Sequence, residues 1–187
     1  MDSGQNTESR INIGYIVIKE KEHQGYVGGY LCTDERGVPR EFWHSTDSPV
    51  KADNIQKILY GKALKPELFG KHIAGALLSK IAEDPKSRPS VFVTQEEAVL
   101  QGLDHRDAPV LCIDLNPGGS HLHQKHFVEK NVLTGTGEIS MKWRTEEAEK
   151  VEDSIPELEG IDLLEPFERI DRLLNELSGK GYEKLEE

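Results

Sequence analysis

The residues with the clearest capacity for chemistry are three histidines in one short segment, His121, His123 and His126. In an extended chain, side chains two residues apart point to the same side, so His121 and His123 can bind one metal ion and His126 can complete the set. Asp114, at the end of a predicted strand, is a further candidate ligand, and Zn or Mn would suit these donors. The interpretation favoured by the sequence is three solvated histidines in a Gly-Ser loop. We therefore predict no cofactor and assign no catalytic residue.

Phosphodiester hydrolysis is a second chemistry to consider. Three antiparallel strands followed by helices and parallel strands is the order found in RNase H-like nucleases, whose two-metal chemistry needs a carboxylate on the first strand. The first predicted strand, residues 12–18, has no carboxylate. Asp34 lies in a predicted hairpin turn, where an Asp side chain commonly accepts hydrogen bonds from the nearby backbone. Asp114 is then the carboxylate in a suitable place. The sequence keeps a metal-dependent hydrolase or nuclease with a His-x-His-x-x-His site as its alternative function.

Alternating apolar residues and turn residues predict the strands that would carry these groups. Residues 12–18, 26–33 and 38–44 form an antiparallel meander, and Pro39 places the third strand at an edge because proline cannot donate to a ladder. A hairpin is expected between Phe127 and Trp143.

Helical spacing predicts further elements after the meander. Helices are expected near residues 55–59 and 66–83, and a helical turn at 95–101 separates two short buried strands. A strand followed by a helix and then by a second strand indicates a βαβ element. The predicted fold class is α/β (α+β): a three-stranded antiparallel meander followed by helices and a short βαβ element in a mixed sheet, with a C-terminal amphipathic helix.

Charge is distributed unevenly along the chain. The 187 residues carry 23 Lys and Arg against 34 Asp and Glu, a net charge of −11, and the segment 145–187 alone holds 15 acidic and 5 basic residues. A nearly neutral body with an acidic tail argues against a broad phosphate-binding face, so nucleic acid is predicted to be an unlikely partner. A contact through the lysines between Lys51 and Lys71 is kept as a weaker option.

Composition divides the chain into a leader, residues 1–10, an α/β domain, residues 11–144, an acidic connector, residues 145–160, and an amphipathic helix with its tail, residues 161–187. The helix has an apolar stripe that packs either on this chain's own sheet or on a partner. The stripe consists of Leu164, Phe167, Ile170, Leu174 and Leu177. The function ranked first is a non-enzymatic accessory or adaptor subunit that docks through this helix to a protein partner or to a second copy.

Two cysteines do not make a disulfide framework, the first ten residues lack the apolar stretch of a signal peptide, and no apolar run is long enough to cross a membrane. A cytoplasmic protein without a membrane partner is expected. The segments Gly28–Leu31, Arg36–Phe42, Ile58–Gly61 and Leu64–Leu68 resemble a family of small bacterial proteins over roughly residues 12–115. No activity is attached to that family, so the resemblance implies a bacterial soluble domain and transfers no functional residue.

Overall fold

A mixed β-sheet forms the centre of the computed structural model, which describes residues 11–21, 25–83, 88–103, 108–115 and 126–180. Within these ranges the sheet has seven strands in the order β3-β2-β1-β4-β5-β7-β6. The strands are β1 (Asn12–Lys21), β2 (Gly25–Asp34), β3 (Pro39–His44), β4 (Val91–Thr94), β5 (Val110–Asp114), β6 (Phe127–Thr134) and β7 (Gly137–Arg144). Strands β1, β4 and β5 run parallel, and the other neighbouring pairs are antiparallel.

The predicted fold class is confirmed. The meander is present, and β3, which begins at Pro39, is an edge strand of the sheet, as the missing donor requires. The βαβ element is β4-α4-β5, and the C-terminal hairpin is β6-β7. Asp34 lies in the β2–β3 turn, where its carboxylate accepts from the backbone N–H of Arg36 and of Val38, both at 3.0 Å.

Helices cover both faces of the sheet. They are α1 (Asn54–Tyr60), α2 (Leu64–Leu68), α3 (Gly75–Glu83), α4 (Glu97–Gly102), α5 (Ala148–Leu158) and α6 (Glu165–Lys180), with 3-10 turns at Gly61–Ala63 and Thr145–Glu147 and a π-helical segment at Phe69–Ala74. Helix α5 lies in the range expected to be an acidic connector. It buries Val151 and Leu158, which is enough apolar contact to hold it on the sheet.

Alternation along β1 divides the core into two clusters. Ile13, Tyr15 and Val17 pack with α5 and α6, on what we call the α5–α6 face. Ile16 and Ile18 pack with the π-helical segment, α3 and α4, on the α2–α4 face. Because successive strand residues point to opposite faces, one β-branched strand supplies both clusters.

Two adjacent glycines of β2 let helices approach the sheet closely from opposite sides. A Cβ at Gly28 would lie 2.6 Å from Ile73 Cγ2, and a Cβ at Gly29 would lie 2.5 Å from Ile170 Cγ2. The β1–β2 register runs without a break through both glycines. Only residues without a side chain fit at these two positions.

Helix α6 is part of this chain's own core. The Phe167 ring makes an edge contact with Tyr15 at a centroid distance of 5.4 Å, and Ile170 and Leu174 are fully buried. Lys19 pairs with Asp171 at 2.7 Å at the helix surface. The apolar stripe therefore faces the sheet and does not present a docking surface.

In the ranges that the structure describes, no helix combines the length and the apolar composition that crossing a membrane requires.

The close approach at Gly29 predicts a specific cost for adding one methyl group. Gly29→Ala should lower the free energy of unfolding by about 1–3 kcal/mol, because Ile170 or the whole of α6 must move. Denaturant unfolding monitored by circular dichroism would measure the change. Gly75→Ala is the control: no atom lies within 4 Å of its added Cβ, and α3 should be unchanged or slightly stabilised. Equal stability of Gly29→Ala and the wild type would contradict the packing argument.

Candidate functional site at the carboxyl edge of the sheet

Strands β1, β3, β4 and β5 all end at the same edge of the sheet, which we call the carboxyl edge. In open α/β sheets, ligands bind outside the carboxyl ends of the parallel strands. Polar groups that break the apolar pattern at this edge are therefore the first candidates for a site.

One row of the register carries such groups across the α2–α4 face. Ile16 of β1 pairs with Thr94, Thr94 with Cys112, Cys112 with Lys142, and Lys142 with Glu129. Thr94 is fully buried, and its hydroxyl donates to the carbonyl oxygen of Ile16 at 2.9 Å. Along this row the side chains change from apolar in β1 to charged in β7 and β6.

Lys142 is the centre of the polar part of the row. Its side chain is 4% exposed, its ammonium donates to Asp114 Oδ2, and Glu97 Oε1 lies 3.6 Å away. Burial alone would lower the pKa of Lys142, but the hydrogen bond and charge of Asp114, with the charges of Glu129 and Glu97, raise it above its ordinary value. Lys142 is therefore charged, with carboxylates on several sides.

Cys112 lies beside this cluster but has no thiolate character. Burial, with the charge of Glu97 next in importance, raises the pKa of the Cys112 thiol to about 12. A protonated thiol is a poor nucleophile and a poor metal ligand. Cys112 therefore acts as a small core residue at this position.

Two further side chains connect the cluster to neighbouring helices. Lys65 of α2 pairs with Glu96 at 2.5 Å. Arg144, at the end of β7, donates to the carbonyl oxygens of Leu100 and Leu103 at 2.9 Å each and so holds the end of α4. These contacts fix α4, which carries Glu97, against the strand that carries Lys142.

At the β3 end of the same edge the surface is open and of different character. A cleft of about 670 Å³ is lined by Trp43, His44, Lys51, His72 and several residues of the loop between β3 and α1. The hydroxyl of Thr46 is hydrogen-bonded to His44 Nδ1 at 2.7 Å. The cleft combines aromatic and imidazole rings with a lysine ammonium, and the exposed carboxylate of Asp47 also lines it.

The described residues do not make a two-metal site. They contain no group of three or more His, Cys, Asp or Glu side chains close enough to hold a metal ion. On the face that carries Asp114, β1 contributes Ile16, and both Asp114 and Glu97 contact an ammonium. The sequence analysis found no carboxylate on the first strand. In the fold, accordingly, β1 contributes no carboxylate to this cluster.

Of the candidate metal ligands, Asp114 lies at the end of β5, and His126 is exposed just before β6. His121 and His123 lie outside the described residues, so their relation to Asp114 stays a prediction. Sequence reasoning missed Lys142 and Glu97. The available signal was a lysine between two large apolar residues, Met141 and Trp143, both of which are buried.

No family model and no curated protein matches this chain. Among solved structures, the chain is similar to human endonuclease V, with a TM-score of 0.49 and 10% identity over 94% of this chain and 87% of that one. It is also similar to Ciona intestinalis endonuclease V in complex with a 24mer DNA containing an inosine followed by a ribo-adenosine (TM-score 0.47, 11% identity, 96% and 89% covered). A complex of a variant of that enzyme with a 23mer DNA has a TM-score of 0.44 and 13% identity, with 96% and 88% covered.

These findings correct two sequence-based predictions. The function ranked first, a non-enzymatic adaptor acting through protein-protein contact, is contradicted because the helix expected to dock on a partner is buried in this chain's own core. The prediction that nucleic acid is an unlikely partner stands against two of the similar structures, which are themselves DNA complexes. The identities of 10–13% describe likeness of fold alone.

The lysine at the centre of the cluster predicts a large effect of its removal. Lys142→Met should lower the free energy of unfolding by about 3 kcal/mol at pH 7, because the mostly buried carboxylate of Asp114 loses its counter-charge. The loss should shrink below about pH 4, where carboxylates protonate. Urea unfolding across this pH range measures both effects. Lys130→Met is the control on the same hairpin, where the side chain is exposed. A loss that does not depend on pH would indicate a packing role for Lys142.

Proposed function

We propose that this protein binds nucleic acid along the carboxyl edge of the sheet. The observation that carries the proposal is the cleft at the β3 end of this edge, where Trp43, His44 and His72 lie beside Lys51. Rings provide stacking surfaces for bases, and an ammonium neutralises a phosphate. A nucleotide chain needs both.

The lysines near the cleft support the same proposal. Lys51, Lys57 and Lys62 are exposed along the segment that leaves the cleft, and Lys65 extends the series to the pair with Glu96. About three phosphate contacts to a single strand give a salt dependence with a slope of about −2 in log K against log salt concentration.

A metal-dependent hydrolase or nuclease is a second candidate, favoured by the charges around Lys142. Asp114, Glu97 and Glu129 together exceed the single ammonium by two negative charges, which equals the charge of a divalent cation. The segment with His121 and His123 follows Asp114 closely in sequence. Nitrogen and carboxylate donors would suit Zn or Mn. Since the described residues alone do not form such a site, no catalytic step is assigned.

A cytoplasmic location is proposed as well. Cys32 and Cys112 are both buried as free thiols, which fits a reducing compartment.

The binding proposal predicts a selective effect of the lysines. Fluorescence anisotropy with a labelled 20-nucleotide strand should show salt-dependent binding, and Lys57→Gln with Lys62→Gln should flatten the salt slope by about 1.4, at about 0.7 per phosphate contact. Lys130→Gln with Lys150→Gln removes the same charge elsewhere on the surface and should leave the slope unchanged. An equal loss in both double variants would mean that only net charge matters, and no binding at low salt would contradict the proposal.

The second candidate predicts a metal that depends on the histidines. Native mass spectrometry of tag-free protein titrated with Mn²⁺ or Zn²⁺ should show one ion per chain, and His121→Ala with His123→Ala should remove it. His72→Ala, in the cleft, should retain the ion. A wild-type chain that stays metal-free, or a double variant that keeps the ion, would eliminate this candidate while leaving the binding proposal intact.

A further inference from the structure

The fixed charges that line the cleft at the β3 end of the carboxyl edge cancel each other. Asp47 and Lys51 are both exposed and have opposite charges, and the other titratable side chains among the described residues of the lining are His44 and His72. Histidine is the side chain that ordinarily changes its charge between about pH 5 and pH 8. The two imidazoles therefore decide whether a polyanion meets a neutral cleft or a cationic one.

The imidazole ring of His44 is held by two neighbouring side chains. Thr46 Oγ1 is hydrogen-bonded to Nδ1 at 2.7 Å, and the Phe42 ring lies at a centroid distance of 5.7 Å. Within the part of the chain that the structure describes, the hydrogen bond of this ring engages Nδ1, so Nε2 is left for a ligand. A ring that is already in place loses less conformational freedom on binding than one that rotates freely.

The backbone beside His44 is fixed as well. Ser45 N–H donates to the carbonyl oxygen of Gly28 at 3.0 Å, and Gly28 N–H donates to Ser45 Oγ at 2.7 Å. His44 itself pairs with Gly29 in the sheet register. His72, in contrast, is exposed on the π-helical segment. Of the two imidazoles, His44 is thus the one whose ring and backbone are both held by hydrogen bonds.

The hydrogen bond between His44 and Thr46 suits a protonated ring. An imidazolium carries a proton on each nitrogen, so Nδ1–H donates to Thr46 Oγ1 while Nε2–H is available for a phosphate oxygen. In the neutral ring only one nitrogen carries a proton, and the charge that attracts a phosphate is lost. Protonation therefore changes the charge of the cleft and adds a donor without moving the ring.

We infer that His44 binds a backbone phosphate of the nucleic acid through Nε2, and that Thr46 is the residue that positions its ring. The inference rests on the proposed function and deepens it, because it names the group of the ligand that is recognised and the protonation state that recognises it. Since Asp47 and Lys51 offset each other, the proton on His44 gives the cleft its net positive charge. Binding in this cleft strengthens as the pH falls from 7.5 to 5.5.

The experiment measures the affinity for one strand at two pH values. Fluorescence anisotropy is recorded at pH 7.5 and pH 5.5 with a labelled strand of 20 thymidines, whose bases do not titrate in this range. The quantity compared is the ratio of the affinity at pH 5.5 to that at pH 7.5. This ratio should be about fivefold larger in the wild type than in His44→Gln, which is the upper size of one exposed ion pair. At pH 5.5 the salt slope should also be steeper in the wild type by about 0.7, the value of one phosphate contact.

Two variants of Thr46 test its positioning role. Thr46→Val removes the hydroxyl and should lower the affinity ratio about threefold, the size of one lost hydrogen bond. Thr46→Ser keeps a hydroxyl and should restore the ratio, whereas a merely structural role would lower the affinity equally at both pH values. His126→Gln is the control, because His126 is an exposed imidazole outside the cleft. Its ratio should equal that of the wild type, with EDTA in every buffer so that no bound metal contributes.

The possible results separate the inference from the proposed function. Equal ratios for the wild type and His44→Gln, with binding retained, would overturn the inference and keep nucleic-acid binding. A ratio that falls in His72→Gln and not in His44→Gln would overturn it as well. No binding at either pH would overturn both proposals.

A measurement on the wild type keeps the inference testable if a variant fails to fold, which circular dichroism at both pH values would show. The imidazole nitrogen resonances are recorded by NMR while the thymidine strand is added at pH 5.5. The Nε2 resonance of His44 should shift on binding. A strand that binds without moving this resonance would overturn the inference.

Discussion

The packing of this protein depends on two positions in β2 that have no side chain. Gly28 and Gly29 point to opposite faces, and each admits an isoleucine from a helix to within the distance that a methyl group would occupy. Ile73 enters from the α2–α4 face and Ile170 from the α5–α6 face. Because both faces are covered at the same point, the apolar residues of β1 can be buried on both sides. The three-layer arrangement follows from this double approach.

Covering both faces limits where chemistry can occur. The polar row runs across the strands from Thr94, which is buried at the centre of the sheet, through Lys142 to Glu129, which is exposed on the edge strand β6. Buried charges there require partners, which explains why Lys142 and Asp114 are found together. At the other end of the edge, the chain leaves β3 through an open cleft and forms α1, whose apolar side chains Ile55, Ile58 and Leu59 are exposed. The same edge thus holds a closed charged cluster and an open apolar surface.

Local patterns predicted the fold better than the site. Alternation in β1, the missing donor of Pro39 and the turn at Asp34 are properties of neighbouring residues, and they led to the correct sheet class. The packing role of Gly28 and Gly29 could not be predicted, because the isoleucines that occupy the space beside them come from distant segments. Asp114 was found because it ends an apolar run. Lys142 and Glu97 were not, because only the strand register and the position of α4 bring them to Asp114.

Net charge is a poor guide to the ligand of one surface because charge acts over short distances. The acidic helices α5 and α6 cover one face of the sheet, whereas α1 contacts α2, which packs on the other side. Helices on opposite faces are separated by about 20 Å, two layers of packing, which exceeds the screening length of about 8–10 Å at physiological salt. Some of the acidic groups also have local partners, such as Asp171 with Lys19 and Glu165 with Arg169. The field near Lys57 and Lys62 is therefore set by the residues around α1, and the total of −11 does not describe the charge at this edge.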